Sequence, residues 1–191
     1  LTQLVVVLDG TIVNIALPQA QIALQMDDHL RQWVVTAYAL AFGALLLLGG
    51  RIADFWGRKR TFMVGMFGFG LASLYAGMAV AGWELILGRA LQGVFAAMLA
   101  PAALALLTML FPSGRDRNIA FAVFGTVAGA GAAVGMVLGG FLTEFFDWRW
   151  CLLVNLFFVI VGLVGGWLFL TESKADGDNR YDLWGALFVT A

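Results

Sequence analysis

Six apolar runs, at roughly residues 1–18, 32–50, 61–80, 84–111, 118–142 and 150–170, follow one another along this chain with only short polar breaks between them. A bilayer's hydrocarbon core is crossed by about 20 apolar residues in a helix, and every run but the first reaches about that length. Backbone groups facing lipid find no water to bond, so each run must close its hydrogen bonds within one helix. Strands of a barrel would be about half as long and would alternate in polarity. The pattern therefore predicts an all-α integral membrane bundle. Composition agrees, since only 12% of the 191 residues are charged, about half of what a water-facing surface carries.

The same counts exclude several functions. A formal net charge of −1, with no basic patch apart from the apolar sequence, leaves no footprint for nucleic acid. One cysteine, Cys151, forms no intrachain disulfide, and with His29 as the single histidine no metal site or cofactor is expected. Asp27 and Asp28 stand just ahead of the second run, where an acid caps a helix. Residue 1 lies inside an apolar run, and residues 183–191 read as the start of a seventh helix. The expectation is a piece of a longer membrane protein: a six-helix unit over 1–170, a polar linker over 171–182, and a second half of the same chain as partner. A calcium loop at Asp176, Gly177, Asp178 and Asn179 is rejected, because its glycine is misplaced and the closing Glu is missing.

Orientation follows from the cations. Arg51, Arg58, Lys59, Arg60, Arg115, Arg117, Lys174 and Arg180, eight of the eleven, fall in alternate breaks, while the opposite breaks hold only Arg31 and Arg149. The eight-cation side is predicted cytoplasmic, which puts breaks 51–60, 112–117 and 171–182 in the cytoplasm, beside a cytoplasmic (inner) membrane that the chain crosses many times. Trp33, Trp83, Trp148 and Trp150 fall at the opposite boundary, where indole rings settle.

Two ionisable groups lie deep within runs, Asp9 in the first and Arg89 in the fourth. Such a group costs about 2.5–3.5 kcal/mol at the bilayer centre on insertion scales, so it faces the bundle interior and marks an ion or substrate path. One reading is a static buried pair that fixes packing. The other is a proton site: burial disfavours a charged carboxylate and a nearby guanidinium favours it, so an Arg89 that approaches and withdraws would load and unload Asp9. At about 100° per residue, Gly93, Ala96 and Ala100 share the Arg89 face, and Asn14 stands about 140° from Asp9. Pro18 and Pro101 are expected to bend or end their helices. Gly131, Gly135, Gly139 and Gly140 in the fifth run offer a groove for a second helix.

The ordered residues resemble the major facilitator superfamily, in particular its fourteen-helix drug:proton antiporters. The resemblance rests on Leu8 to Pro18 (Leu-Asp-Gly-Thr-Ile-Val-Asn-Ile-Ala-Leu-Pro), on the signature Gly-Arg-Ile-Ala-Asp-Phe-Trp-Gly-Arg-Lys-Arg at 50–60, on Arg89, Gln92 and Gly93, and on Trp148, Arg149 and Trp150 followed by Asn155. Two positions depart from it: Met136 and Phe157 stand where the family usually has proline. The resemblance implies two inverted three-helix repeats forming an N-terminal domain that rocks against a second one. It also implies proton-coupled export of amphipathic small molecules, with Asp9 and Arg89 coupling the proton. Gly50, Asp54, Gly57, Arg58, Lys59, Arg60 and Asp116 would form a gate in which Arg58 pairs with an acid such as Asp116. Asn14, Tyr38 and Gln92 are the polar candidates for the substrate cavity. A facilitator or importer without proton coupling, or a membrane scaffold, remains the alternative.

Overall fold

A computed structural model describes residues 2–172. The proposed seventh helix and all of the linker past Glu172 lie outside the described residues. Six helices follow in chain order: α1 Thr2–Ala23, α2 Asp28–Trp56, α3 Arg58–Gly77, α4 Gly82–Leu110, α5 Arg115–Phe145 and α6 Trp150–Phe169. All but α3 are long and apolar enough to cross a membrane. Helix α3 carries three cations in its first turn and buries eleven of its 20 residues, while Val64, Phe67, Leu71 and Leu74 form an exposed apolar face.

Local chemistry sets the ends. Asp27 Oδ1 accepts the Leu30 N–H at 2.7 Å and starts α2, while Glu84 takes the N–H groups of Val80 and Ala81 ahead of α4. Helices α2, α4 and α5 have 29, 29 and 31 residues, or roughly 45 Å at 1.5 Å per residue, well beyond the ~30 Å hydrocarbon core. The excess carries the charged signature out of the apolar layer. The expected break at 51–60 is accordingly no loop: α2 runs to Trp56, α3 begins at Arg58, and Gly57 alone joins them, with φ +117°. Neither proline ends its helix. Helix α1 continues to Ala23 past Pro18 and α4 to Leu110 past Pro101, since tertiary neighbours can satisfy the carbonyl that a membrane proline frees.

The packing shows the repeat. The largest interfaces are α2 with α4, α3 with α4, α1 with α5 and α3 with α6, followed by α1 with α6. Exchanging α1 with α4, α2 with α5 and α3 with α6 maps this set onto itself, as two related three-helix units require. Small residues permit the approaches. A Cβ on Gly49 would overlap the Ala97 carbonyl across the α2–α4 interface, and one on Gly93 would come within 2.5 Å of the Tyr38 carbonyl. Gly131, Gly135 and Gly139 receive Leu4, Thr11 and Ile12 of α1, whereas Gly140 meets nothing within 4 Å. The fifth-helix groove therefore has three glycines spaced by four, and Gly140 lies off that row.

Two apolar clusters fill the interior. One gathers Leu8, Ile12, Val34, Ala76, Leu85, Trp148 and Leu152; the other gathers Val5, Phe62, Phe69, Ala96, Leu99 and Val159. Trp148 is only 2% exposed, beneath the Arg149 guanidinium at 4.6 Å, so it packs the core. Trp33, Trp83 and Trp150 remain exposed.

Candidate functional site

Between the two apolar clusters lies a layer of buried polar side chains. On α1, Asp9 falls between Val5 and Ile12; on α3, Ser73 between Phe69 and Ala76. On α4, Arg89 and Gln92 fall between Leu85 and Ala96, and on α6 Asn155 falls between Leu152 and Val159. All five side chains are 2% exposed or less. Four helices thus deliver polar residues to one depth, where Asp9, Ser73, Asn155 and the Arg89–Gln92 pair interrupt otherwise apolar buried stripes.

The contacts within the layer are mutual. Arg89 Nη1 donates to Asp9 Oδ2 at 2.5 Å and to Gln92 Oε1 at 2.8 Å. Asp9 Oδ1 accepts Asn155 Nδ2 at 2.6 Å and Gln92 Nε2 at 3.1 Å. Gln92 Nε2 also donates to Ser73 Oγ at 2.7 Å. Helix α2 closes the fifth side, its Val34 carbonyl accepting Arg89 Nε at 3.4 Å and its Tyr38 ring lying 4.3 Å from the guanidinium carbon. The carboxylate has three donors and the cation is shared between an acid, an amide, a carbonyl and an aromatic face. This satisfaction is what lets a charge pair persist in an apolar interior.

The other expected residues separate. Gln92, expected in the substrate cavity, is enclosed in this layer with internal partners on both ends of its amide. Tyr38 is half-buried against Arg89 with its hydroxyl unpartnered. Asn14 is exposed and donates to its own helix at Gly10, at 2.8 Å.

At the end of the bundle that carries Gly57, Arg58 Nη2 meets Asp54 Oδ1 at 3.3 Å, and Asp116 stands exposed in the first turn of α5. Gly50 makes an ordinary approach to Pro101. A residue missed in the sequence completes this end. Glu172, just past α6, accepts the backbone N–H groups of Lys59 and Arg60 at 3.2 Å each, and Lys59 Nζ in return donates to the carbonyls of Trp167 and Leu170 closing α6. Each helix end takes the opposite charge that its dipole favours. Gly57→Ala is expected to lower the Tm, because its φ of +117° suits glycine and an added Cβ would overlap the Glu172 carboxylate. The expected cost is about 1–3 kcal/mol, measurable by thermal unfolding in detergent; an unchanged Tm would contradict it.

A sequence-family description, the Major Facilitator Superfamily, matches residues 1–190. The chain belongs to that superfamily. This major facilitator chain is 58% identical to the puromycin resistance protein of Streptomyces alboniger, over 97% of its own length and 37% of the relative's. It is 39% identical to the lincomycin resistance protein of Streptomyces lincolnensis, over 99% and 39%. It therefore spans under two fifths of these relatives. A peptide transporter POT crystallised with sulfate shares the major facilitator fold, with a TM-score of 0.70 at 17% identity over 86% of this chain and 36% of that one. The superfamily is one of multi-pass membrane transporters and not of enzymes, in keeping with the apolar helices. Within the domain, Asn155 and Ser73 are the contributors to the buried layer that sequence reasoning left out. The available signal was a polar residue inside a strongly apolar or glycine-rich run, which Asn155 displays plainly.

Proposed function

We propose that the whole protein exports amphipathic, often cationic, small molecules from the cytoplasm in exchange for protons, with Asp9 as the proton-binding group and Arg89 as its partner. The observation that carries this is a fully buried carboxylate at the meeting point of five helices, held by a guanidinium that other acceptors also hold. Because Arg89 keeps Gln92 and the Val34 carbonyl when it loosens from Asp9, a small shift of α4 against α1 can change the field at the carboxylate without stranding the cation. The resistance proteins named among the relatives support export as the direction. The substrate would bind at the midplane between this domain and a second one, with exposed Asn14 and the buried, unpartnered hydroxyl of Tyr38 as the polar candidates.

In this reading the charged end faces the cytoplasm. Gly50, Asp54, Gly57, Arg58, Lys59, Arg60 and Asp116 form the gate there, with Arg58 on Asp54 in the present state and on Asp116 in another. The test is Asp9→Asn in the full-length protein, reconstituted in liposomes with puromycin as probe. Transport driven by an imposed pH gradient is expected to fall to the level of empty liposomes, while exchange of labelled for unlabelled puromycin at equal pH persists. Gradient-driven transport that survives the substitution would leave Asp9 and Arg89 a static pair and put the proton on another group, whereas wild-type transport indifferent to the pH gradient would make the protein a facilitator.

A further inference from the structure

Three N–H donors converge on the Asp9 carboxylate: Arg89 Nη1 on Oδ2, and Gln92 Nε2 and Asn155 Nδ2 on Oδ1. That shell suits a charged carboxylate, which only accepts. A protonated carboxyl carries an O–H that must find an acceptor among groups that all present hydrogens. Arg89 has no acceptor atom. Gln92 is locked in orientation by Arg89, whose N–H its Oε1 takes; turning its amide over would set N–H against N–H there, whereas the Ser73 hydroxyl can donate as well as accept and does not oppose the turn. Asn155 is different. Its residue is 0% exposed and its Oδ1 is buried with no partner, so turning this amide gives up a single bond, the one that protonation makes redundant.

We propose that Asn155 is the positioning residue that follows the Asp9 proton, donating through Nδ2 to the charged carboxylate and turning its amide so that Oδ1 accepts the O–H of the protonated one. The inference rests on the reading of Asp9 as the proton site. The proton adds to Asp9 Oδ1, an N–H···O bond is replaced by an O–H···O bond, no covalent bond of Asn155 changes, and Arg89 and Gln92 keep their mutual contact. The other charged or titratable groups at this point are Arg89 from α4 and Tyr38 from α2, whose hydroxyl bonds neither Asp9 nor Arg89. Helix α3 brings uncharged Ser73, and α5 meets α1 through Gly131, Gly135 and Gly139.

Infrared difference spectra of the full-length protein in lipid, recorded on acidification, test this without any transported compound. A protonated-carboxyl band that disappears in Asp9→Asn is expected. In protein labelled with carbon-13 at asparagine side-chain carbonyls, an amide band should move with it and be lost in Asn155→Thr. Asn155→Leu, which offers neither donor nor acceptor, should shift the carboxyl band to higher wavenumber, and Asn155→Thr, whose hydroxyl offers both, should return it toward the original position. A carboxyl band unmoved by Asn155→Leu, or a labelled amide band that stays still or survives Asn155→Thr, would overturn the role of Asn155 while leaving Asp9 in place. If Asn155→Leu does not fold, the labelled-amide measurement decides alone. The absence of any Asp9-dependent band removes the proton site itself, and Asn155 with it.

Discussion

Arg89→Ala is expected to be among the most damaging single substitutions in this domain. It removes the cation from a carboxylate with 0% exposure, and breaking a buried pair by deleting one partner costs about 3–5 kcal/mol because the remaining charge is uncompensated. It also empties the space beneath Tyr38 and frees the Gln92 and Val34 acceptors. The loss should appear as a large drop in Tm of the full-length protein in detergent, and adding Asp9→Asn to Arg89→Ala should recover part of it, since the stranded charge is then gone. Groups in direct contact couple in this way. Simple additivity of the two single losses would mean that the pair contributes no mutual stabilisation.

Gly49→Ala is expected to destabilise by a comparable route of a different kind. The new methyl would overlap the backbone carbonyl of Ala97, with the Ala97 carbonyl carbon and Met98 Cα close behind it. Nothing there is the flexible end of a side chain, so α4 itself must move away from α2 at the largest interface in the domain. Overpacking of this sort costs typically about 1–3 kcal/mol and occasionally more. Gly140→Ala is the control: with open space around it, it should gain the ~0.5–1 kcal/mol by which alanine exceeds glycine within a helix. Thermal unfolding of the two variants side by side should show opposite signs. A neutral Gly49→Ala would contradict the packing of α2 on α4.

Six helices were legible in the apolar runs, because lipid removes every alternative to a helix, but their lengths were not: α1, expected short, is long and apolar enough to cross a membrane and α3 is not. The largest boundary error, at the end of α2, has a physical cause. The Gly-Arg-Ile-Ala-Asp-Phe-Trp-Gly-Arg-Lys-Arg segment is polar and reads as a loop, but a helix longer than the bilayer is thick continues into water with charged residues on it, and only Gly57 leaves the helical conformation. Glu172 was hidden for a related reason. Its partners are backbone N–H groups 113 and 112 residues earlier, and a backbone donor leaves no mark in a sequence. Trp148 at 2% exposure shows the limit of the aromatic-belt rule, because a Trp at a boundary can face the protein as well as the lipid.

The buried layer divides along the same line. A lone acid and a lone base inside apolar runs demand each other by energetics, so the sequence alone pairs Asp9 with Arg89. Hydropathy, charge cost and motif spacing are properties of one dimension, and they suffice to make the chain an all-helical membrane domain, to bury Asp9 and Arg89 and to place it in its family. Where neutral polar groups go depends instead on the packing of the helices. Gln92, Ser73 and Asn155 carry no charge whose burial must be explained, and their roles arise from helices that the chain separates by up to 146 residues meeting at one depth. That meeting places two amide donors on the Asp9 carboxylate beside Arg89, and leaves the Asn155 oxygen buried without a partner.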